Sequence, residues 1–169
     1  MALKADDAHR EETDDMLMIN NTPGTYILVL KLTNHADIEI GRTQSVSFEP
    51  GLYCYIGSAL GPGGLKARLR RHASVGVRIH WHIDYFLSHA KLIGAIVIED
   101  RTRHECTWAS WVSRVAGSCI DGFGASDCRC KGHLFCLGES LDEGLFIKQA
   151  LEALNAHYVA KKELSYLVA

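Results

Sequence analysis

The 169-residue sequence is poor in several things at once. It has three prolines, three methionines and an aromatic content of only 8%. It has no run of 18 apolar residues, which excludes an ordinary membrane-spanning helix. It has no apolar stretch near its start of the kind a secretory signal needs, and it begins acidic, so a cytoplasmic chain is expected. Its hydrophobic share of 47% and charged share of 22% are those of an ordinary globular domain, which excludes collagen-like, mainly disordered and disulfide-scaffold classes. It also lacks basic excess: the formal net charge is −2. Taken alone, that figure speaks against a nucleic-acid partner.

The placement of the charges reverses that reading. Residues 1–15 hold Asp6, Asp7, Glu11, Glu12, Asp14 and Asp15 against Lys4 and Arg10, a net −4 that leaves the other 154 residues at +2. With little apolar content, residues 1–20 read as an acidic, flexible arm. Between Pro50 and Ile83 stand Lys66, Arg68, Arg70, Arg71 and Arg78 with no acid, and His72, His80 and His82 lie among them. Such a segment suits a phosphate-binding face, and also suits a solvated helix face whose counter-charges lie elsewhere.

The coarse element pattern is strands first, then a helix pair, a buried strand and further helices. Thr25–Leu32, Ile38–Ile40, Ser45–Phe48 and Leu52–Ile56 read as strands, and Gly57–Gly64 as a loop. A helix from Gly64 aligns Leu65, Leu69 and Ala73, and a second follows His80. Leu92–Ile98 is a seven-residue apolar run fit for a central strand. Thr102–Glu105 and Ser140–Glu143 have capping-box form, opening helices with stripes Trp108, Trp111, Val112, Val115 and Ile147, Leu151, Leu154, Tyr158. Residues 117–138 read as loop. The expected class is α+β, a small mostly antiparallel sheet flanked by helices: arm at 1–20, main domain at 21–138, and an added C-terminal helix at 139–169 packed on it.

Three separated segments carry chemistry: Gly24-Thr25-Tyr26, Tyr55-Ile56-Gly57, and Gly64 to His72 with Arg68 at its centre, followed at a distance by Glu105. In this order they resemble the GIY-YIG nuclease superfamily, with Thr in place of Ile in the first tripeptide and the second intact. His80–Tyr85 and Phe123–Phe135 are similar to one branch of that superfamily, small prokaryotic proteins in some archaea fused to a base-excision DNA glycosylase. The resemblance implies a divalent-metal-dependent endonuclease acting on DNA, with a role in repair. It implies Tyr26, Tyr55, Arg68 and Glu105 as catalytic residues and one Mg²⁺ or Mn²⁺ on Glu105. His72 joins them from its place beside Arg68, and substrate contacts are expected from Gly57, Ser58, Lys66, Arg70, Arg71, His80 and His82. The 28 residues between the tripeptides exceed the usual short hairpin and leave room for an extra pair of strands.

These residue types suit phosphodiester cleavage whatever the family. A phenol takes a proton from water once cations lower its pKa from about 10. A guanidinium forks onto phosphate, and one carboxylate holds a Mg²⁺ that keeps most of its waters. Arg68 and His72, four apart, share a helix face, so His72 is expected to touch phosphate or relay a proton. Glu105 stands three residues before Trp108, which aims its carboxylate toward the core. Each residue also has a plainer reading: strand aromatics, a solvated base, a capping glutamate.

Six cysteines without a secretory signal read as thiols in a reducing compartment. Cys128, Cys130, His133 and Cys136 offer four zinc ligands within nine residues, but the C-x-C spacing disfavours structural zinc, and a tight loop with Asp127 and His133 bonded to backbone is preferred. His80, His82 and Asp84 make a poor metal triad on a helix. Two alternatives to a nuclease follow: a non-catalytic nucleic-acid-binding module, and a small zinc-binding interaction protein.

Overall fold

The computed structural model describes residues 19–42 and 44–169, so the acidic character read at residues 1–15 falls outside the described residues. The elements run β1 (Gly24–Leu32), β2 (Ala36–Ile40), β3 (Gln44–Phe48), β4 (Gly51–Ala59), α1 (Gly64–Ala73), α2 (His82–Leu87), β5 (Lys91–Glu99), α3 (Glu105–Val115), β6 (Ser118–Cys119), β7 (Leu134–Gly138), α4 (Glu143–Leu154), β8 (His157–Ala160) and α5 (Lys161–Tyr166). Six strands form one sheet in the order β6-β7-β4-β1-β5-β8, and every pairing is antiparallel. The class is α+β, as the pattern of elements implies.

β1 is central: all but Lys31 of it is buried, and it is paired on both sides, with β4 and with β5. The two-residue strand period then sorts its side chains. Tyr26, Leu28 and Leu30 enter one core with Leu65 and Leu69 of α1, Ile83 and Phe86 of α2, and Ile38, Ile40 and Phe48 of β2 and β3. Ile27 and Val29 enter the other, with Trp108 and Val112 of α3 and Phe146 and Ala150 of α4. The long connection from β1 to β4 is filled by the separate antiparallel pair β2–β3, the extra strands for which its length leaves room.

Five local expectations differ. Gly57–Ala59 is strand rather than loop, because β4 continues in register opposite Tyr26, Thr25 and Gly24. α2 begins at His82, since Asp84 Oδ2 accepts from the backbone N–H of His80 (2.8 Å) and Trp81 (3.0 Å) and holds both outside the helix. Neither capping box forms at the expected place. α3 starts after His104, and α4 after Asp142, whose Oδ1 accepts from Leu145 N at 2.8 Å. Residues 117–138 contain β6 and β7, which extend the sheet beyond β4. Finally, residues 139–169 form α4, β8 and α5, not one helix. Asn155 at φ 49° ends α4 in the left-handed region, and Tyr158 pairs with Ile96 on the sheet edge.

Candidate active-site groove and thiol cluster

At one end of the sheet lies an open groove of about 430 Å³, whose lining includes Tyr26, Tyr55, Arg68, Glu105, Gly57 and Ser58. Four residues from four elements (β1, β4, α1, α3) thus converge, although up to 79 positions separate them in the chain. His80 and His82 also face the groove. Lys66, Arg70 and Arg71 do not: they border a separate hollow on the flank of α1 with Asn21 and Ser74. His72 is buried and is absent from the groove lining, so it has no phosphate to touch.

The strand register explains the second tripeptide. Tyr26 and Gly57 are cross-strand partners, and a Cβ at Gly57 would lie 2.4 Å from the Tyr26 hydroxyl. The glycine leaves room for the Tyr26 ring to cross β4. Gly124 does the same for Tyr55, since a Cβ there would come within 2.9 Å of that ring, and its φ of 68° favours glycine as well. The Thr at the centre of the first tripeptide is also placed. Thr25 is fully buried, and its Oγ1 accepts from His104 N at 3.3 Å, tying the start of α3 to β1.

The Tyr26 hydroxyl lies 2.8 Å from His72 Nε2. Burial pushes the Tyr26 phenol far above its ordinary value, Tyr55 adds to this, and Arg68 opposes it. Burial, then Arg68, pushes His72 down to about 3, so its imidazole is neutral at pH 7, and its buried Nδ1 has no partner among the described residues. Tyr55 is pushed up to about 12 by burial and by the Glu105 carboxylate.

Arg68 makes no ion pair among the described residues, and its guanidinium packs 4.2 Å from the centroid of Trp81. Arg71 also packs on Trp81, at 4.6 Å, but donates to Asp84 Oδ2 at 2.6 Å and to the Arg78 carbonyl at 2.8 Å. Burial favours the neutral Asp84 carboxyl, but the Trp81 and His80 N–H donors and Arg71 outweigh it and hold the group below the usual carboxylate range. Asp84 therefore organises the turn that presents Trp81, and does not join His80 and His82 as a metal ligand.

Glu105 is largely buried, and its Oε2 pairs with Arg103 Nε at 2.9 Å. Arg103 Nη2 donates to Asp127 Oδ2 at 2.7 Å, which lowers the Asp127 carboxyl. Glu105 Oε1 makes no hydrogen bond among the described residues and, with the two phenols and the hydroxyls of Ser58 and Ser126, makes the groove a hard-oxygen environment. That donor set fits a magnesium-like ion that keeps most of its waters. Trp81, Arg103, Ser126 and Asp127 are groove residues that the sequence reading left unassigned to the site. Arg103 lies inside the Thr102–Glu105 segment of capping-box form, and Trp81 in the helix expected to follow His80.

Behind the groove a second polar group gathers Cys106, Cys128, Cys130 and His133, whose ligand atoms all lie within 4.8 Å of one another. The fourth member is Cys106, not the expected Cys136, which stands on β7 opposite Tyr53. The Asp127 carboxylate accepts from Arg103. Burial and the crowding of Cys106 and Cys128 push the Cys130 thiol up to about 12.

Among the described residues, no helix is long and apolar enough to cross a membrane. No curated protein and no solved structure matches the chain. The model of one family does match, over residues 25–156: the domain of unknown function DUF123. The match takes in β1 through Ala156 and with them the groove and the thiol cluster, and the chain belongs to the DUF123 family.

Proposed function

We propose that the protein is a divalent-metal-dependent nuclease that hydrolyses phosphodiester bonds in DNA, with its reaction centre in the groove. The observation that carries this reading is the meeting of Tyr26, Tyr55, Arg68 and Glu105 on one open polar surface, from four separate elements. A binding module has little use for a largely buried carboxylate facing two phenols, because it repels the phosphate that Arg68 attracts. The resemblance to GIY-YIG nucleases assigns the same four residues.

In this reading Arg68 pairs with the scissile phosphate. It has no carboxylate partner among the described residues, and Trp81 holds its guanidinium by a cation–π contact. Glu105 would hold Mg²⁺ or Mn²⁺ through Oε1, and when bound the ion supplies charge neutralisation at the phosphoryl oxygens and a more acidic water. Tyr26 takes the proton of the attacking water as its phenolate. Burial opposes that form, contrary to the lowering expected from cations alone, while Arg68 and a bound divalent ion would favour it. His72 Nε2 lies 2.8 Å from the phenol oxygen and holds it in place as a neutral hydrogen-bond partner; pushed down to about 3, the imidazole does not carry the proton onward. Tyr55, backed by Gly124, orients the water or the leaving oxygen. His80 and His82 on the rim contact flanking phosphates.

The test is a panel of duplex, single-stranded, flapped and branched DNAs at fixed low salt with Mg²⁺ or Mn²⁺. Cleavage of at least one substrate is expected, with a loss of about 100-fold or more in Glu105→Gln. Salt-dependent binding of all substrates with no cleavage replaces the nuclease by the binding module. Undiminished cleavage in Glu105→Gln removes the metal from Glu105.

A further inference from the structure

Glu105 and Cys106 are consecutive, and the first turn of α3 delivers them to different neighbourhoods. Glu105 lines the groove, while Cys106 joins Cys128, Cys130 and His133. Three sulfurs and one imidazole nitrogen within 4.8 Å of one another, with Cys128 Sγ 3.5 Å from His133 Nε2, approach the spacing of a tetrahedral zinc site. With Zn–S bonds of about 2.3 Å, neighbouring donors in such a site stand about 3.8 Å apart. The donor types match too, since Cys₃His is a common composition for structural zinc.

Plain apolar packing accounts poorly for the same atoms. Cys54, which does pack as a small apolar group, is fully buried, whereas Cys106 is exposed and Cys128 and Cys130 are half-buried. His133 is 1% exposed, yet the one side-chain partner of its Nε2 among the described residues is a thiol. The C-x-C spacing that disfavours zinc in the sequence loses its force here, because one ligand arrives from another element instead of from Cys136.

We propose that Cys106, Cys128, Cys130 and His133 bind one zinc ion whose four positions are all filled by protein. The ion fastens the first turn of α3 to the loop between β6 and β7. That loop contributes Gly124, Ser126 and Asp127 to the groove, so the zinc holds together two walls of the site without touching its contents. The inference is independent of what the groove binds or cuts.

The experiment uses the untagged full-length chain, purified reduced and without chelator, with zinc measured per chain. About one equivalent is expected to survive dialysis, and replacement by Co²⁺ is expected to give tetrahedral ligand-field bands with sulfur-to-cobalt charge transfer for three thiolates. Zinc affinity is expected to fall at least about tenfold in Cys106→Ser and to stay unchanged in Cys136→Ser. A metal-free reduced protein overturns the proposal, as does equal zinc affinity in Cys106→Ser and the parent, or loss of zinc in Cys136→Ser. Should Cys106→Ser not fold, the cobalt spectrum of the parent decides: charge transfer from three sulfurs supports the site, and an octahedral or sulfur-poor spectrum overturns it.

Discussion

Arg68 and Arg71 are the same residue type on the same helix, three positions apart, and both guanidiniums pack on the Trp81 ring within 4.6 Å of its centroid. Their roles diverge because of one carboxylate. Asp84, with a side chain only 2% exposed, takes Arg71 and leaves Arg68 facing the groove. A run of bases is therefore not a uniform phosphate face. One arginine holds the scaffold, and it does so by positioning the aromatic ring on which the other rests.

Exchange experiments should break that pairing cleanly. Arg68→Ala is expected to lower DNA cleavage about 100- to 1000-fold while leaving the urea midpoint close to that of the parent, since its guanidinium makes no ion pair among the described residues. Arg71→Ala leaves the Asp84 carboxylate buried without its cation and is expected to cost about 3 kcal/mol of stability. Equal effects of the two variants on both stability and rate would show that the distinction drawn through Asp84 is false.

This pair also marks the boundary of what the sequence reveals. The i, i+3 and i, i+4 spacing of apolar residues fixes α1, and the order of the tripeptides, Arg68 and Glu105 picks out the four residues that meet in the groove. Nothing local distinguishes Arg71 from Arg68, because the partner that separates them lies 13 residues on in another helix. Long apolar runs such as Leu92–Ile98 announce central strands. The edge strands β6 and β8, two and four residues long, are too short for a pattern to show, and pairing alone defines them. Cys106 escapes for the same reason as Arg103. Each sits at or just before the start of α3, where the local pattern suggests capping, while Asp127 for Arg103 and Cys128, Cys130 and His133 for Cys106 come from the loop between β6 and β7.

A smaller effect probes whether the groove depends on the Tyr26–Gly57 fit as much as on Arg68. Gly57→Ala places a methyl 2.4 Å from the Tyr26 hydroxyl, so the ring must move or β4 must bend. Overpacking of this kind costs about 1–3 kcal/mol. The loss of cleavage should exceed the loss of stability, because the displaced atom is the proton-accepting hydroxyl. Gly61→Ala has open space around its Cβ and no positive φ, and should match the parent in both measurements.

The scaffold side of the same contact is read through pH. In the folded chain burial holds His72 neutral down to about 3, whereas an exposed histidine in the unfolded chain takes up its proton near 6.5. The folded-state value is depressed, so the unfolded state binds the extra proton between those limits. Stability from this group is complete above about pH 6.5 and drains as pH falls toward 3, at up to about 1.4 kcal/mol per pH unit. Asp84, whose carboxyl is also held low, loses stability in the same direction on acidification, so the parent alone cannot assign the slope. His72→Gln removes the titrating ring and keeps a hydrogen-bonding group near the Tyr26 hydroxyl. Urea unfolding at pH 4, 5, 6 and 7 should show the parent losing more stability per pH unit than His72→Gln throughout this range. Parallel slopes would mean that His72 charges freely in the folded chain, and with that the neutral acceptor behind Tyr26 would be lost.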